Sequence, residues 1–178
     1  MKCPKCKPIN LSPVKLEGEL PVMGCRSCEG TLISLLHYRD WAERLESSFD
    51  IETVELKTVE DKDTKTALAC PKCAGLMTKY KITGDNSNRL DLCANCDEAW
   101  LDQGEWALMK SLALTQDLPD VFTDAWQTRI IEEKTEKQQY QRLVKQVGEA
   151  DAEKTREVSN WLKGNKNKFM ILHYLGYD

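Results

Sequence analysis

Eight cysteines carry the clearest chemistry in this sequence. They fall into four Cys-x-x-Cys pairs, Cys3/Cys6, Cys25/Cys28, Cys70/Cys73 and Cys93/Cys96, with 18 residues between the first two pairs and 19 between the last two. In such a pair both thiols leave one tight turn, and two turns brought together set four sulfurs tetrahedrally around a divalent cation. Spacing of this kind is a strong zinc signature. The sequence therefore predicts two Zn2+ ions, one held by Cys3, Cys6, Cys25 and Cys28, the other by Cys70, Cys73, Cys93 and Cys96.

Other cysteine chemistries fit less well. A disulfide framework suits a secreted chain with long-range pairs, and a redox dithiol needs one Cys-x-x-Cys rather than four at a repeated spacing. Iron in a rubredoxin-like site takes the same four sulfurs and stays open as an alternative, with the electron-carrier function it would bring. Four thiolates close a tetrahedral ion and leave no position for water, so structural centres are expected and no enzyme activity. His37 and His173 stand outside the ligand pattern and read as ordinary histidines.

The chain has 178 residues, a formal charge of -4 and a pI of about 5.4. Eight thiolates and two divalent ions would carry the loaded protein to about -8, a poor charge for an affinity built on phosphate neutralisation. Nucleic acid is thus a disfavoured partner, although Lys2, Lys5, Lys7 and Lys72 surround the first knuckle of each set. Lysines there also offset the net negative charge of a four-thiolate zinc, the simpler role. Cys3 lies too near the first residue to leave room for a secretory signal, and the apolar run Phe169 to Leu175 is far short of a membrane span. A cytoplasmic protein without a membrane partner is expected.

The elements that must position the cysteines repeat. Cys3-Pro4-Lys5-Cys6 overlies Cys70-Pro71-Lys72-Cys73 at an offset of 67, and Cys25/Cys28 overlies Cys93/Cys96 at 68. Val14-Lys15-Leu16 and Lys79-Tyr80-Lys81-Ile82 alternate as strands do, with Gly18 and Gly84 near the reversals and Asp85-Asn86-Ser87-Asn88 a turn cluster. Each module is two knuckles on a β-hairpin, followed by a helical pattern: Leu35, Leu36, Trp41 and Leu45 after the first, Trp106, Leu108, Met109 and Leu112 after the second.

The second module, Cys70-Pro71-Lys72-Cys73-Ala74-Gly75-Leu76 with Cys93-Ala94-Asn95-Cys96-Asp97-Glu98-Ala99-Trp100-Leu101-Asp102-Gln103-Gly104-Glu105, resembles the bacterial zinc-ribbon family named after the TFIIB zinc finger. The tail Trp-Leu-Asp-x-Gly-Glu is the specific part. The resemblance covers residues 70 to 105 well and 3 to 34 loosely, and it implies zinc ribbons without establishing a transcription role. Glu98 stands where the family pattern has glycine. The first module keeps that glycine as Gly30 but has Leu32 and Ser34 in place of the tryptophan and aspartate. Trp100 is expected to cover the apolar face of the ribbon, and Asp102 to cap the helix that begins near Gly104.

The fold class expected is α+β: two small four-cysteine ribbons, each followed by a helix, and a long helical C-terminal region. The boundaries are 1–46 for the first ribbon and helix, 47–69 for an acidic linker with a strand near Ile51–Leu56, 70–114 for the second ribbon and helix, and 115–178 for the helical region. There, Pro119 suits a first turn, Gly148 a break and Gly164 a stop. Val121, Phe122, Ala125, Trp126 and Ile130 form one apolar stripe; Tyr140, Leu143, Val144 and Val147 form another. Between them residues 132–139 are wholly polar, so this arm either crosses solvent or meets a partner. The function expected is a zinc-stabilised adaptor for another protein, or for a second copy bound through the C-terminal helices.

Overall fold

The computed structural model describes residues 1–16, 19–45 and 66–176. Gly18, the strand expected near Ile51–Leu56 and most of the 47–69 linker lie outside them. The fold is α+β and divides into two compact units, residues 1–131 and 132–178. No helix among the described residues is long and apolar enough to cross a membrane.

In the first unit, six short strands form one antiparallel sheet. They are β1 (Ser12–Lys15), β2 (Pro21–Gly24), β3 (Thr31–Ser34), β4 (Thr78–Lys81), β5 (Arg89–Cys93) and β6 (Glu98–Leu101), in the order β1-β2-β3-β6-β5-β4. The hairpins β1–β2 and β4–β5 correspond to the strands read from the sequence. The third strand of each module was not anticipated, and it is what joins the modules. β3 pairs with β6 so that Leu32 faces Trp100, its own counterpart in the repeat. The two modules are thus related about this pair as subunits are in a two-fold dimer.

One register line crosses the whole sheet: Pro13, Met23, Leu32, Trp100, Asp91 and Lys79. Strand side chains alternate between faces, so these six share one face with the cysteine groups. Leu32 and Trp100 are buried there among Cys3, Cys25, Cys70 and Cys93. The opposite face carries Val22, Ile33, Leu90 and Leu101, and it packs against the helices. These are α1 (Leu35–Leu45), α2 (Glu105–Ser111), α3 (Leu118–Val121) and the start of α4 (Asp124–Val147). Trp41 of α1 meets Trp106 of α2 at 5.9 Å between ring centres, and the Tyr38 hydroxyl donates to the Thr115 carbonyl. The helix-face expectations hold for Leu35, Trp41 and Met109, whereas Leu36 and Leu112 face outward.

Both sheet edges are blunted, as open edges invite aggregation. At β4 the Gln127 amide bonds both the N–H (3.1 Å) and the carbonyl (2.9 Å) of Lys81, in the manner of a neighbouring strand. At β1 the Leu16 N–H bonds inward to Leu20, which leaves the odd-numbered residues facing out, and the outward residue Pro13 has no N–H to offer.

The helical pattern that opens at Pro119 is two helices. Pro119 lies in the first turn of α3, and α4 starts afresh behind Thr123, whose hydroxyl accepts the Trp126 N–H at 3.2 Å. Of the first apolar stripe, Val121 and Ile130 are buried and Phe122 and Trp126 half-buried, but Ala125 is exposed. In the second unit, α4 continues to Val147, Gly148 at φ 85° reverses the chain, and α5 (Glu149–Lys163) and α6 (Lys168–Tyr174) follow. Tyr140 to Glu153 (2.9 Å) and Lys163 to Glu136 (3.2 Å) tie α4 and α5 antiparallel.

The Trp100 ring lies directly against Gly30, where an added Cβ would sit 2.3 Å from the ring. Gly30→Ala is therefore expected to cost about 1–3 kcal/mol in urea denaturation of the metal-loaded chain. In a Trp100→Leu background the same change should cost less than about 0.5 kcal/mol, because the clash is gone. Equal costs in the two backgrounds would show that the contact does not constrain position 30.

Candidate metal centres

Each cysteine group is assembled from two knuckles of one local form. The residue four after the leading cysteine takes a left-handed conformation in all four: Lys7 (φ 53°), Glu29 (56°), Ala74 (62°) and Asp97 (52°). In three of them its N–H bonds back to the leading cysteine carbonyl at 2.9 Å, closing the turn that aims both sulfurs one way. Non-glycine residues pay roughly 1–2 kcal/mol for this conformation, so something must hold the turn closed. A metal bound to both thiols would do so. None of the four positions is glycine, and the sequence did not flag them.

The leading cysteines, Cys3, Cys25, Cys70 and Cys93, are buried, whereas Cys6, Cys28 and Cys96 are half-buried and Cys73 is exposed. The fold brings together every cysteine named from the sequence, in the groups expected. Within Cys3/Cys6/Cys25/Cys28 and within Cys70/Cys73/Cys93/Cys96, all sulfurs lie within 4.8 Å of one another. All eight thiols are free. The Sγ atoms of Cys3 and Cys28 are 3.6 Å apart and those of Cys73 and Cys93 3.5 Å apart. A tetrahedron with metal–sulfur bonds of about 2.3 Å has sulfur–sulfur edges of about 3.8 Å, so the spacing fits a metal and is far too wide for a disulfide. These two groups could hold metal ions. His37 and His173 are exposed and belong to neither.

Backbone donors and neighbouring thiols set the acidity of each group. Burial resists ionisation of Cys25, but the N–H groups of Cys28 and Ser27 and the thiols of Cys3 and Cys28 outweigh it and bring the pKa down to about 7. For Cys73 the Gly75 N–H leads, with help from Cys96 and Cys93, again to about 7. Cys96 is held up to about 12, chiefly by its hydrogen bond to Cys73, and burial raises Cys3, Cys28 and Cys70. Each group thus contains one thiol, Cys25 or Cys73, that ionises more readily than an ordinary thiol, and binding a cation releases protons.

The lysines inside the leading knuckles are engaged by carboxylates on the same sheet face. Lys5 reaches Asp102 at 3.2 Å and Lys72 reaches Glu98 at 2.9 Å; both carboxylates are buried. Asp102 also accepts the Trp100 ring N–H at 3.1 Å. Where the helix cap was expected, Glu105 of α2 accepts the Asp102 backbone N–H at 2.7 Å, the bond that the third helical residue makes back to an N-cap in a capping box, while the Asp102 carboxylate also holds Lys5 and Trp100. The Cys-Pro-Lys-Cys repeat was the sequence signal for these lysines, but their partners across the sheet were not legible in it.

No family model, curated protein or solved structure matches the chain.

Because the two groups share one sheet, emptying either should weaken both. Cys70→Ser/Cys73→Ser is expected to halve the bound metal and lower the unfolding temperature of the whole first unit in one transition. An unchanged melting temperature would deny the groups a structural role. Thiolates bound to a cation are held deprotonated well below ordinary thiol pKa values. The stability they confer is therefore present at neutral pH and lost as pH falls. Acid titration should release metal and unfold the sheet together, as read by a chromogenic chelator and circular dichroism.

Proposed function

We propose that this chain is a zinc-stabilised protein-interaction adaptor, with two structural zinc centres and no catalysis of its own. The closed four-thiolate sets support structural zinc, because they offer no position for a water or substrate. The resemblance of residues 70–105 to the TFIIB-type zinc ribbons points the same way. Eight free thiols suit a reducing compartment, the cytoplasm.

The observation that carries the adaptor reading is the surface of the second unit. Among its described residues only Ala152 is fully buried. Trp161 (56% exposed), Phe169 (82%), Met170 (71%) and Tyr174 (89%) leave large apolar area in water. Such groups are enriched at protein interfaces and depleted from free surfaces. A second polypeptide, of another kind or a second copy, would cover them. Nucleic acid is the weaker reading, since Lys5 and Lys72, two of the lysines that invite it, are held by Asp102 and Glu98.

The test uses the full chain and Phe169→Asp/Met170→Asp as baits in native lysate, with and without nuclease, alongside sedimentation of each alone. The wild-type chain should retain a protein partner, or self-associate, after nuclease treatment, and the variant should lose this while keeping both metal ions. Binding that vanishes with nuclease and falls steeply with salt would replace the adaptor by a nucleic-acid binder. A coloured, redox-active native protein would replace zinc by iron.

A further inference from the structure

The two halves of the sheet are built alike but finished differently on the face that carries the cysteines. On the β4–β5–β6 side the register line ends in Trp100, Asp91 and Lys79. The Trp100 ring is fully buried against Gly30, and Lys79 pairs with Asp91 at 2.8 Å with both side chains largely buried. That face is closed by the chain itself. On the β1–β2–β3 side the counterparts are Leu32, Met23 and Pro13, all apolar; Pro13 and Met23 floor a cleft of about 540 Å3, with Leu32 buried beneath it. A cavity of this size is within the range of small-ligand pockets.

The polar end of the cleft has a template across the pseudo-two-fold. In the closed half, Asp102 is held by Lys5 and accepts the ring N–H of Trp100. The counterpart of Asp102 is Ser34, which carries no charge. The carboxylate has moved to the residue that faces Ser34 across the strand pair, Glu98, and it is held by Lys72, the counterpart of Lys5. The open half therefore keeps a lysine-held carboxylate beside an apolar floor, and has lost the indole that the same arrangement serves in the other half.

We propose that this cleft receives a tryptophan side chain from a partner polypeptide, its ring on Pro13 and Met23 and its ring N–H donated to Glu98. The occupant is inferred from complementarity: the floor is apolar, and the wall offers an anionic acceptor already neutralised by Lys72, as Asp102 held by Lys5 serves the ring N–H of Trp100 in the other half. The cleft lies wholly in the first unit, so this inference goes beyond the adaptor reading of the second and stands or falls apart from the Phe169 and Met170 surface.

The probe is N-acetyltryptophanamide, titrated into the metal-loaded full chain and followed by the methyl resonances of Met23 and Leu32. Saturable shifts are expected, with affinity about tenfold lower for the ring N-methylated probe, which cannot donate to a charged acceptor. N-acetylleucinamide should bind more weakly still. Leu32→Trp/Glu98→Gly rebuilds the Trp100–Gly30 arrangement on this side and should abolish the shifts by filling the cleft. Should that variant fail to fold, Glu98→Gln should weaken the tryptophan probe and leave the N-methylated one unchanged. Absent or non-saturating shifts, equal binding of the leucine probe, or indifference to both Glu98 variants would each overturn the proposal.

Discussion

A fully buried indole pressed against a glycine backbone is the contact on which this arrangement turns. Trp100 of the second module reaches over Gly30 of the first, across the strand pair β3–β6 that joins them. A side chain at position 30 would push the ring away, and with it the β3–β6 pairing that makes two three-stranded modules into one sheet. Neither module has enough apolar surface to stand well alone, and small metal domains of this size usually borrow stability from a metal or a neighbour. Here each leans on its neighbour through the shared sheet, and its four thiols could hold a metal as well. The sheet buries Leu32 and Trp100 against the inner cysteines on one face and builds the aromatic and aliphatic core on the other.

The Trp100 ring covers Gly30 of the other module rather than a residue of its own. Leu32 and Glu98 occupy the reciprocal positions, where a smaller apolar residue leaves space for a larger acidic one. The electrostatics follow the packing: each leading knuckle keeps a lysine and each lysine keeps a buried carboxylate, but the carboxylate is Asp102 on one side and Glu98 on the other. Buried carboxylates beside thiolate groups would be costly without those lysines, since breaking a buried pair leaves an uncompensated charge.

What could be read in the sequence follows from how local each cause is. A Cys-x-x-Cys turn is a four-residue affair, so all eight candidate ligands and their grouping were legible from spacing, as were the hairpins β1–β2 and β4–β5 from alternation. Gly148 and Pro119 marked real chain reversals and starts, because their backbone limits act locally. The third strand of each module was missed because its four residues, 31–34 and 98–101, are almost wholly buried by non-local pairing and carry no alternation. The pairing of Asp102 was not legible for the same reason: at sequence range it sits where a helix cap belongs, while Lys5, which it also holds, is 97 positions away. Leu36, Leu112 and Ala125 fitted helical stripes but face outward, since a period of 3.6 gives the stripe and not its width.

The two modules share one sheet but finish its two halves differently. An assembly of identical modules must repeat every feature on both sides of its axis. In this chain the β4–β5 half spends its edge and its open face on internal contacts: Gln127 covers the edge at Lys81, Trp126 donates to the Ile82 carbonyl at 3.1 Å, and the Lys79–Asp91 pair with Trp100 closes the face. Among the described residues the β1–β2 half receives none of these: Pro13 faces out along its edge, and its face carries an apolar cleft beside the buried Leu32. Proline prevents an incoming strand from pairing along β1 but does nothing to obstruct a side chain entering from above the sheet. An edge refused to strands beside a face left open to side chains is the arrangement expected of a surface selected to admit a small anchored group while resisting sheet-to-sheet aggregation.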